Sequence, residues 1–340
     1  MTEPVLPGFA PFCETKPRAI LPAVDHYAGS EKTIRKALAL QQEICSEAGT
    51  PLFDVTSDCE DGAKTGEETA HVTLCANLIN SAENRFNRVG LRIHDVRHPH
   101  WEADLQIALE IAGEKIAFIT LPKARAAADV ARQIERLRQL QASLGLCRAI
   151  PVHVLIETQG ALQEVRQIAA LEGVESLDFG LMDFVSDHQG AIPASAMQSP
   201  GQFSHPLIVR AKCEVAAAAH AAGITPTHNV CTELSDTAIM ATDARLARQE
   251  FAYLRMWSIH PRQILPILEA MRPELAEITG AVDILLQAEA AHWGPIRHQG
   301  RLHDRGSYRY YWDVLRRAYV TGGALPKEIQ AWFSHEGNQA

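Results

Sequence analysis

Apolar and β-branched residues gather in short runs along the chain, and the longer segments between them carry apolar positions at helical spacing. Eight runs read as strands: Ala19 to Pro22, Leu52 to Thr56, Val89 to Ile93, Ile116 to Leu121, Val152 to Glu157, Leu177 to Leu181, Thr227 to Val230 and Arg255 to Ile259. Helices are predicted over Ser30 to Cys45, Glu68 to Asn80, Ala124 to Leu144, Gly160 to Leu171, Leu207 to Ala222 and Leu234 to Phe251. After the third strand, Leu105, Ala108, Leu109 and Ala112 recur at i, i+3, i+4 and i+7, the stripe of a helix that packs on a sheet. Strict alternation of strand and helix implies a parallel sheet. Eight such units within ~250 residues predict an α/β fold of the closed (β/α)8 TIM-barrel type. An open doubly wound sheet would carry a Gly-rich phosphate-binding turn after its first strand, and Pro22 to His26 contain no glycine.

The pattern changes near Pro273, beyond which two further helical stretches flank a polar, aromatic segment, Trp293 to Trp312. The chain therefore divides into a catalytic (β/α)8 barrel, residues 1–272, and a helical C-terminal extension, residues 273–340, expected to pack on the barrel or on a neighbouring subunit.

Composition narrows the partners. Of 340 residues, 46% are hydrophobic and 21% charged, enough to build a large core. The net charge of −9 argues against nucleic-acid binding, which needs a face rich in Lys and Arg. No apolar run approaches the ~20 residues of a membrane span, and Met1-Thr2-Glu3-Pro4 does not begin a secretory signal. A soluble, cytoplasmic protein is expected. The seven cysteines (13, 45, 59, 75, 147, 213 and 231) form no Cys-x-x-Cys pair, so each reads as a small buried apolar residue.

In a barrel enzyme the chemistry lies at the C-terminal ends of the strands, and six of the eight ends carry an ionisable residue. They are Asp58-Cys59-Glu60-Asp61-Gly62, Arg92-Ile93-His94-Asp95, Pro122-Lys123, Glu157-Thr158, Gly180-Leu181-Met182-Asp183 and His260-Pro261. Glu157 and Asp183 top adjacent strands. Two converging carboxylates share a proton or a hard divalent cation, and with so few protein ligands Mg²⁺ is the fit; the alternative is that each caps the helix that follows. Arg92 would point into the barrel mouth if Val89, Leu91 and Ile93 face the helices. There it either pairs with the Asp58–Asp61 cluster or clamps a substrate carboxylate. Lys123 is a counter-ion to that cluster or a Schiff-base nucleophile.

Taken in order, these strand ends resemble the citrate lyase β-subunit and malyl-CoA lyase group of the HpcH/HpaI aldolase family. The matching residues are Leu21-Pro22-Ala23, Asp58 to Gly62, Leu91-Arg92-Ile93, Leu121-Pro122-Lys123, Ile156-Glu157-Thr158, Phe179-Gly180 with Asp183, and Ser258 to Gln263. The resemblance implies a barrel that binds Mg²⁺ through Glu157 and Asp183, with Arg92 on the oxoacid part of the substrate. Lys123, Gly180 and Met182 are expected to line that substrate. It further implies cleavage or formation of a C–C bond between an acyl thioester of coenzyme A and an oxoacid, in a homo-oligomer whose C-terminal segment lends an aspartate to its neighbour. Asp304 is the local candidate, and Glu60, Asp61 and Asp304 are the candidate acid/base groups. Cys59 stands where the family has leucine, His94 where asparagine is common, and Arg305 interrupts the expected Asp-Gly at Asp304. The other readings are a metal-dependent aldolase on free oxoacids, a Schiff-base aldolase through Lys123, and a non-catalytic barrel that binds an oxoacid or a partner protein.

Overall fold

The computed structural model describes residues 20–336 apart from 49 and 64. They fall into two compact units, one spanning Leu21–Met271 and the other beginning at Arg272.

The first unit is a closed parallel barrel of eight strands in sequential order. The strands are β1 (Val24–Ala28), β2 (Phe53–Asp58), β3 (Val89–Arg92), β4 (Ile116–Leu121), β5 (Val152–Ile156), β6 (Val174–Phe179), β7 (Thr225–His228) and β8 (Arg255–Ser258), and β8 closes onto β1. Helices α1 (Glu31–Ala48), α2 (Glu68–Asn80), α3 (Trp101–Ala112) and α4 (Ala127–Ser143) follow the first four strands. Two short helices, α5 (Gln159–Gln163) and α6 (Val165–Ala169), stand where one was predicted after β5; then come α7 (Leu181–Ser186), α8 (Pro206–Ala222), α9 (Thr237–Gln249) and α10 (Ile264–Met271).

Three strand predictions shift, the seventh being Thr225–His228 and not Thr227 to Val230. The first strand is Val24–Ala28 and not Ala19 to Pro22; of that stretch Ala19, like Cys13, lies outside the described residues. Pro22 has no N–H to give to a ladder. Its carbonyl instead accepts from Arg255, and pairing with β8 opens where Ala23 O accepts from the Met256 N–H at 3.0 Å. Residues 22–26, expected to be a turn, are thus largely strand. The sixth strand ends at Phe179, because Gly180 begins the turn into α7, and Leu181 and Asp183 are helical.

Alternate strand residues divide as a barrel requires. Val55, Leu91, Ile119, Val154 and Leu177 are fully buried in one apolar core with the helices. The other set includes Asp25, Asp54, Thr56, His153, Ser176, Asp178 and Arg255, fully buried and polar. Arg255 ties Asp25 (2.9 Å) to Asp54, which also takes two bonds from Arg88 at 2.6 and 2.7 Å. Gly90 on β3 leaves room for Phe118: an added Cβ would lie 2.2 Å from that ring.

The second unit holds α11 (Leu275–Ala290), a hairpin of β9 (Ile296–His298) and β10 (Arg301–His303), α12 (Arg305–Val320) and α13 (Lys327–Glu336). The expectation of two helices around an irregular aromatic segment is corrected to three helices and a hairpin. Tyr308 and Trp312 recur at i and i+4 on α12, and with Trp293, Trp332 and Phe333 they form the core of this unit. Trp293, Tyr308 and Trp312 are packing, whereas Tyr310 is 58% exposed.

Candidate active site

The β2/β3 register sets Asp58 directly opposite Arg92 at the C-terminal ends of the two strands. Their side chains meet in a two-pronged ion pair, Arg92 Nε to Asp58 Oδ1 at 2.7 Å and Nη2 to Oδ2 at 2.5 Å. The chain then doubles back, so the Glu60 and Gly62 N–H groups donate to the same carboxylate at 3.0 and 2.9 Å. Burial alone would raise the Asp58 carboxyl, but Arg92 and these N–H groups hold it below its usual range. Arg92 also reaches Glu60 Oε2 through Nη1 at 2.9 Å and lies over the Tyr27 ring, 5.3 Å from its centroid. Of the two readings of Arg92, the ion pair with the acidic cluster is therefore present.

Lys123 follows β4 with φ +49°, a left-handed conformation uncommon outside glycine. That turn sends its Nζ to Glu60 Oε1 at 2.6 Å and to both Asp61 oxygens at 2.9 Å, with Asp183 Oδ1 at 3.9 Å. Its N–H donates to Glu157 Oε1 at 2.6 Å. Burial would lower the Lys123 ammonium, yet Glu60 and Asp61 raise it, so the amine is held protonated. The counter-ion reading of Lys123 fits this environment.

Glu157, the first residue after β5, is buried. Burial, and then the nearby Asp183 and Glu60, push its carboxyl up to about 8. Neither Glu157 nor Asp183 caps a helix: α5 is capped by Thr158, whose Oγ1 accepts from Ala161 N, and α7 has no side-chain cap. Gly180 lies against Glu157, and a Cβ there would sit 2.3 Å from Glu157 Oε2. Asp183 on α7 is partly open, with its carboxyl raised mainly by burial. Met182 beside it is 40% exposed. Burial likewise raises Glu60, against the pull of Arg92 and Lys123.

The structure thus brings Glu60, Asp61, Arg92, Lys123, Glu157, Gly180, Met182 and Asp183 to one end of the barrel. Five carboxyl groups (58, 60, 61, 157 and 183) face two fixed cations, Arg92 and Lys123. That imbalance adds to the burial that raises Glu157, and an all-oxygen donor set with surplus negative charge suits a hard divalent cation held by Glu157 and Asp183. Asp304 belongs to the second unit, where its Oδ1 accepts from Gly306 N at 3.0 Å and caps α12.

A family model of the HpcH/HpaI aldolase/citrate lyase type matches residues 41–251. The chain belongs to this family. It is a carbon–carbon lyase. It is similar to a citrate lyase of known structure from Burkholderia xenovorans LB400, with 53% identity, 93% of this chain and 97% of that chain covered, and a TM-score of 0.82. It is also 25% identical over 277 residues to the L-malyl-CoA/β-methylmalyl-CoA lyase of Cereibacter sphaeroides, covering 78% of this chain and 86% of that protein. The Mycobacterium tuberculosis protein CitE, solved with magnesium, acetoacetate and coenzyme A, shares the fold at 22% identity, with a TM-score of 0.63 over 89% of this chain and 99% of that one.

Within the family barrel, some neighbours of the site escape a reading of single strand ends. Within the acidic cluster expected to pair with Arg92, the register of β2 on β3 singles out Asp58 as its chief partner. Tyr27 stacks near Trp257, ring centroids 4.5 Å apart. It lies on β1, past the stretch Ala19 to Pro22 that the sequence predicts as the first strand. The same strand borders a cavity of about 380 Å³ lined by Tyr27, Lys32, Lys36, Asp58, Gly62 and His260. His260 is a local cap, its Nδ1 accepting from Arg262 N at 3.2 Å. Among the described residues no helix is long and apolar enough to cross a membrane.

Proposed function

We propose that this lyase, with Mg²⁺ at Glu157 and Asp183, reversibly cleaves a hydroxy-acyl thioester of coenzyme A into an acyl thioester and an oxoacid. The observation that carries this reading is the buried, proton-holding Glu157 beside Asp183 and the Arg92–Lys123 cations, in a barrel whose relatives include a malyl-CoA lyase. The cation would supply Lewis-acid polarisation of the substrate carboxylate and the oxygen next to it.

The protein does the rest. Arg92 has spent Nε and one Nη2 hydrogen on Asp58, which locks the plane of its guanidinium. With Nη1 also on Glu60 at 2.9 Å, the N–H groups left over on Nη1 and Nη2 orient the oxoacid carboxylate. Lys123, held as an ammonium by Glu60 and Asp61, contributes charge and not an amine nucleophile. In cleavage the Glu60 carboxylate takes the substrate hydroxyl proton, the C–C bond breaks to leave the oxoacid carbonyl, and Glu60 returns that proton to the carbon of the departing thioester enolate. Glu60, whose carboxyl favours the protonated form more than a free glutamate does, carries that proton better than the more exposed Asp61. Asp304 enters as the residue a neighbouring subunit would lend. The cavity lined by Lys32 and Lys36 is a fitting berth for the anionic coenzyme, because both ammonium groups rise from one face of α1.

The test is turnover of a panel of hydroxy-acyl-CoA esters with Mg²⁺, following release of free oxoacid. Thioester cleavage lost in Glu157→Gln and Asp183→Ala is the expected result. Cleavage of free hydroxy acids with none of the thioesters would replace the proposal with an aldolase on free oxoacids. Cation binding without turnover would replace it with a binding barrel. Activity regained on mixing Asp304→Ala with Glu157→Gln would show that the subunits share a site.

A further inference from the structure

Behind the acidic loop, three soft-metal ligands converge that the lyase chemistry does not use. Cys59 lies between Asp58 and Glu60 at the end of β2, while His71 and Cys75 stand one turn apart on α2. An i, i+4 pair projects from one helix face, and here that face meets the strand end. One ligand atom from each residue lies within 4.8 Å of the others, and Cys75 Sγ is 3.5 Å from His71 Nε2. Tetrahedral zinc with two sulfur ligands and one nitrogen ligand, at ~2.3 and ~2.0 Å, sets neighbouring ligand atoms roughly 3.5 Å apart. Both cysteines are buried, Cys59 at 2% and Cys75 at 0% exposure, and His71 is partly open and could admit an ion. His71 Nε2 also lies 2.9 Å from the Asp58 carbonyl oxygen, so a fourth oxygen donor borders the cluster.

We propose that Cys59, His71 and Cys75 form a thiolate–imidazole site that takes one Zn²⁺ ion and ties α2 to the loop bearing Asp58, Glu60 and Asp61. Thiolates select soft or borderline ions, so this site and the carboxylate pair at Glu157 and Asp183 sort Zn²⁺ from Mg²⁺ by ligand type. A hydrogen bond from Cys59, and then His71, bring the Cys75 thiol down to about 6, while the bond to Cys75 lifts His71 to about 9 and pushes the Cys59 thiol well up, so zinc has to displace protons from the cluster. Loading Zn²⁺ releases two protons, one from the Cys59 thiol and one shared by Cys75 and His71, with no change of oxidation state.

The experiment measures zinc by mass spectrometry in the full chain after purification under reducing conditions and dialysis. It is paired with the spectrum of the protein loaded with Co²⁺. Expected are one zinc per chain, thiolate-to-cobalt charge-transfer absorption, and protection of two thiols from a thiol reagent that still modifies the exposed Cys147 and Cys213. Cys59→Leu and His71→Gln should each lose the bound zinc and the charge-transfer band while circular dichroism reports an intact barrel. Glu157→Gln should keep both, which separates this site from the lyase site. The proposal fails if the wild type retains no zinc, if the two variants hold as much as the wild type, or if Cys59 and Cys75 are found joined as a disulfide in the reduced preparation.

Discussion

Divalent-cation binding at the lyase site should be a proton-for-cation exchange at Glu157, and so should be steeply dependent on pH. A glutamate carboxyl ordinarily titrates at 4.5; burial first, then Asp183 and Glu60, raise Glu157 to about 8. A cation can bind the carboxylate only after that proton leaves, so the apparent affinity should fall ~10-fold per pH unit below that value, a loss of about a hundredfold over two units. Calorimetric titration of MgCl₂ in two buffers of unlike ionisation enthalpy reads both quantities. Near neutral pH the released proton should approach one per cation, and in Glu157→Gln the pH slope should vanish along with most of the affinity. The same linkage acts on stability. Glu157 binds its proton more tightly folded than unfolded, so the metal-free protein loses stability as pH rises from 4.5 through about 8. The cost is on the order of 1 kcal/mol per pH unit at most. Thermal melts with and without Mg²⁺ should therefore diverge toward higher pH. An affinity that stays flat across this window, with no proton released, would refute the placement of Glu157 as a buried carboxyl in surplus negative charge.

Three further outcomes follow from named contacts. Arg255→Met leaves Asp25 without its 2.9 Å partner and Asp54 with Arg88 alone, and should cost about 3–5 kcal/mol in urea unfolding; a loss under 1 kcal/mol would show the network to be replaceable by apolar packing. Gly180→Ala places a Cβ 2.3 Å from Glu157 Oε2 and should weaken Mg²⁺ binding by ~10-fold or more with the fold retained. Equal affinity in that variant would mean Glu157 is free to move aside. Borohydride treatment in the presence of an oxoacid should leave Lys123 unmodified by mass spectrometry, because Glu60 and Asp61 keep its amine protonated. A trapped adduct would restore the Schiff-base reading.

The alternation of apolar runs and amphipathic stretches was enough to specify the barrel, since a strand buried on one side by helices must show its outward Val, Leu and Ile whatever lies inside. It was enough, too, to mark the strand ends at 60–61, 92, 123 and 157, because a charge directly after an apolar run has few places to be other than the mouth, whereas Asp183 sits on α7 beyond the end of β6. The inward residues were less legible. Asp25, Asp54, Asp178 and Arg255 break the apolar runs, and the first and sixth strands were misplaced where such residues or Pro22 interrupt them.

The strand ends suggested that Arg92 and Lys123 answer the Asp58–Asp61 cluster, but which carboxylate each one meets was decided by the tertiary structure. Asp58 and Arg92 are 34 residues apart and meet because parallel register sets β2 beside β3. Lys123 and Asp61 meet because a left-handed turn after β4 swings Nζ across the mouth. Cys59 is the small buried residue that its sequence suggests, and only the packing of α2 sets His71 and Cys75 beside it. Hydrophobic periodicity is a local property that survives in one dimension. A charge or a thiol takes its role from neighbours that the chain supplies only after it closes on itself.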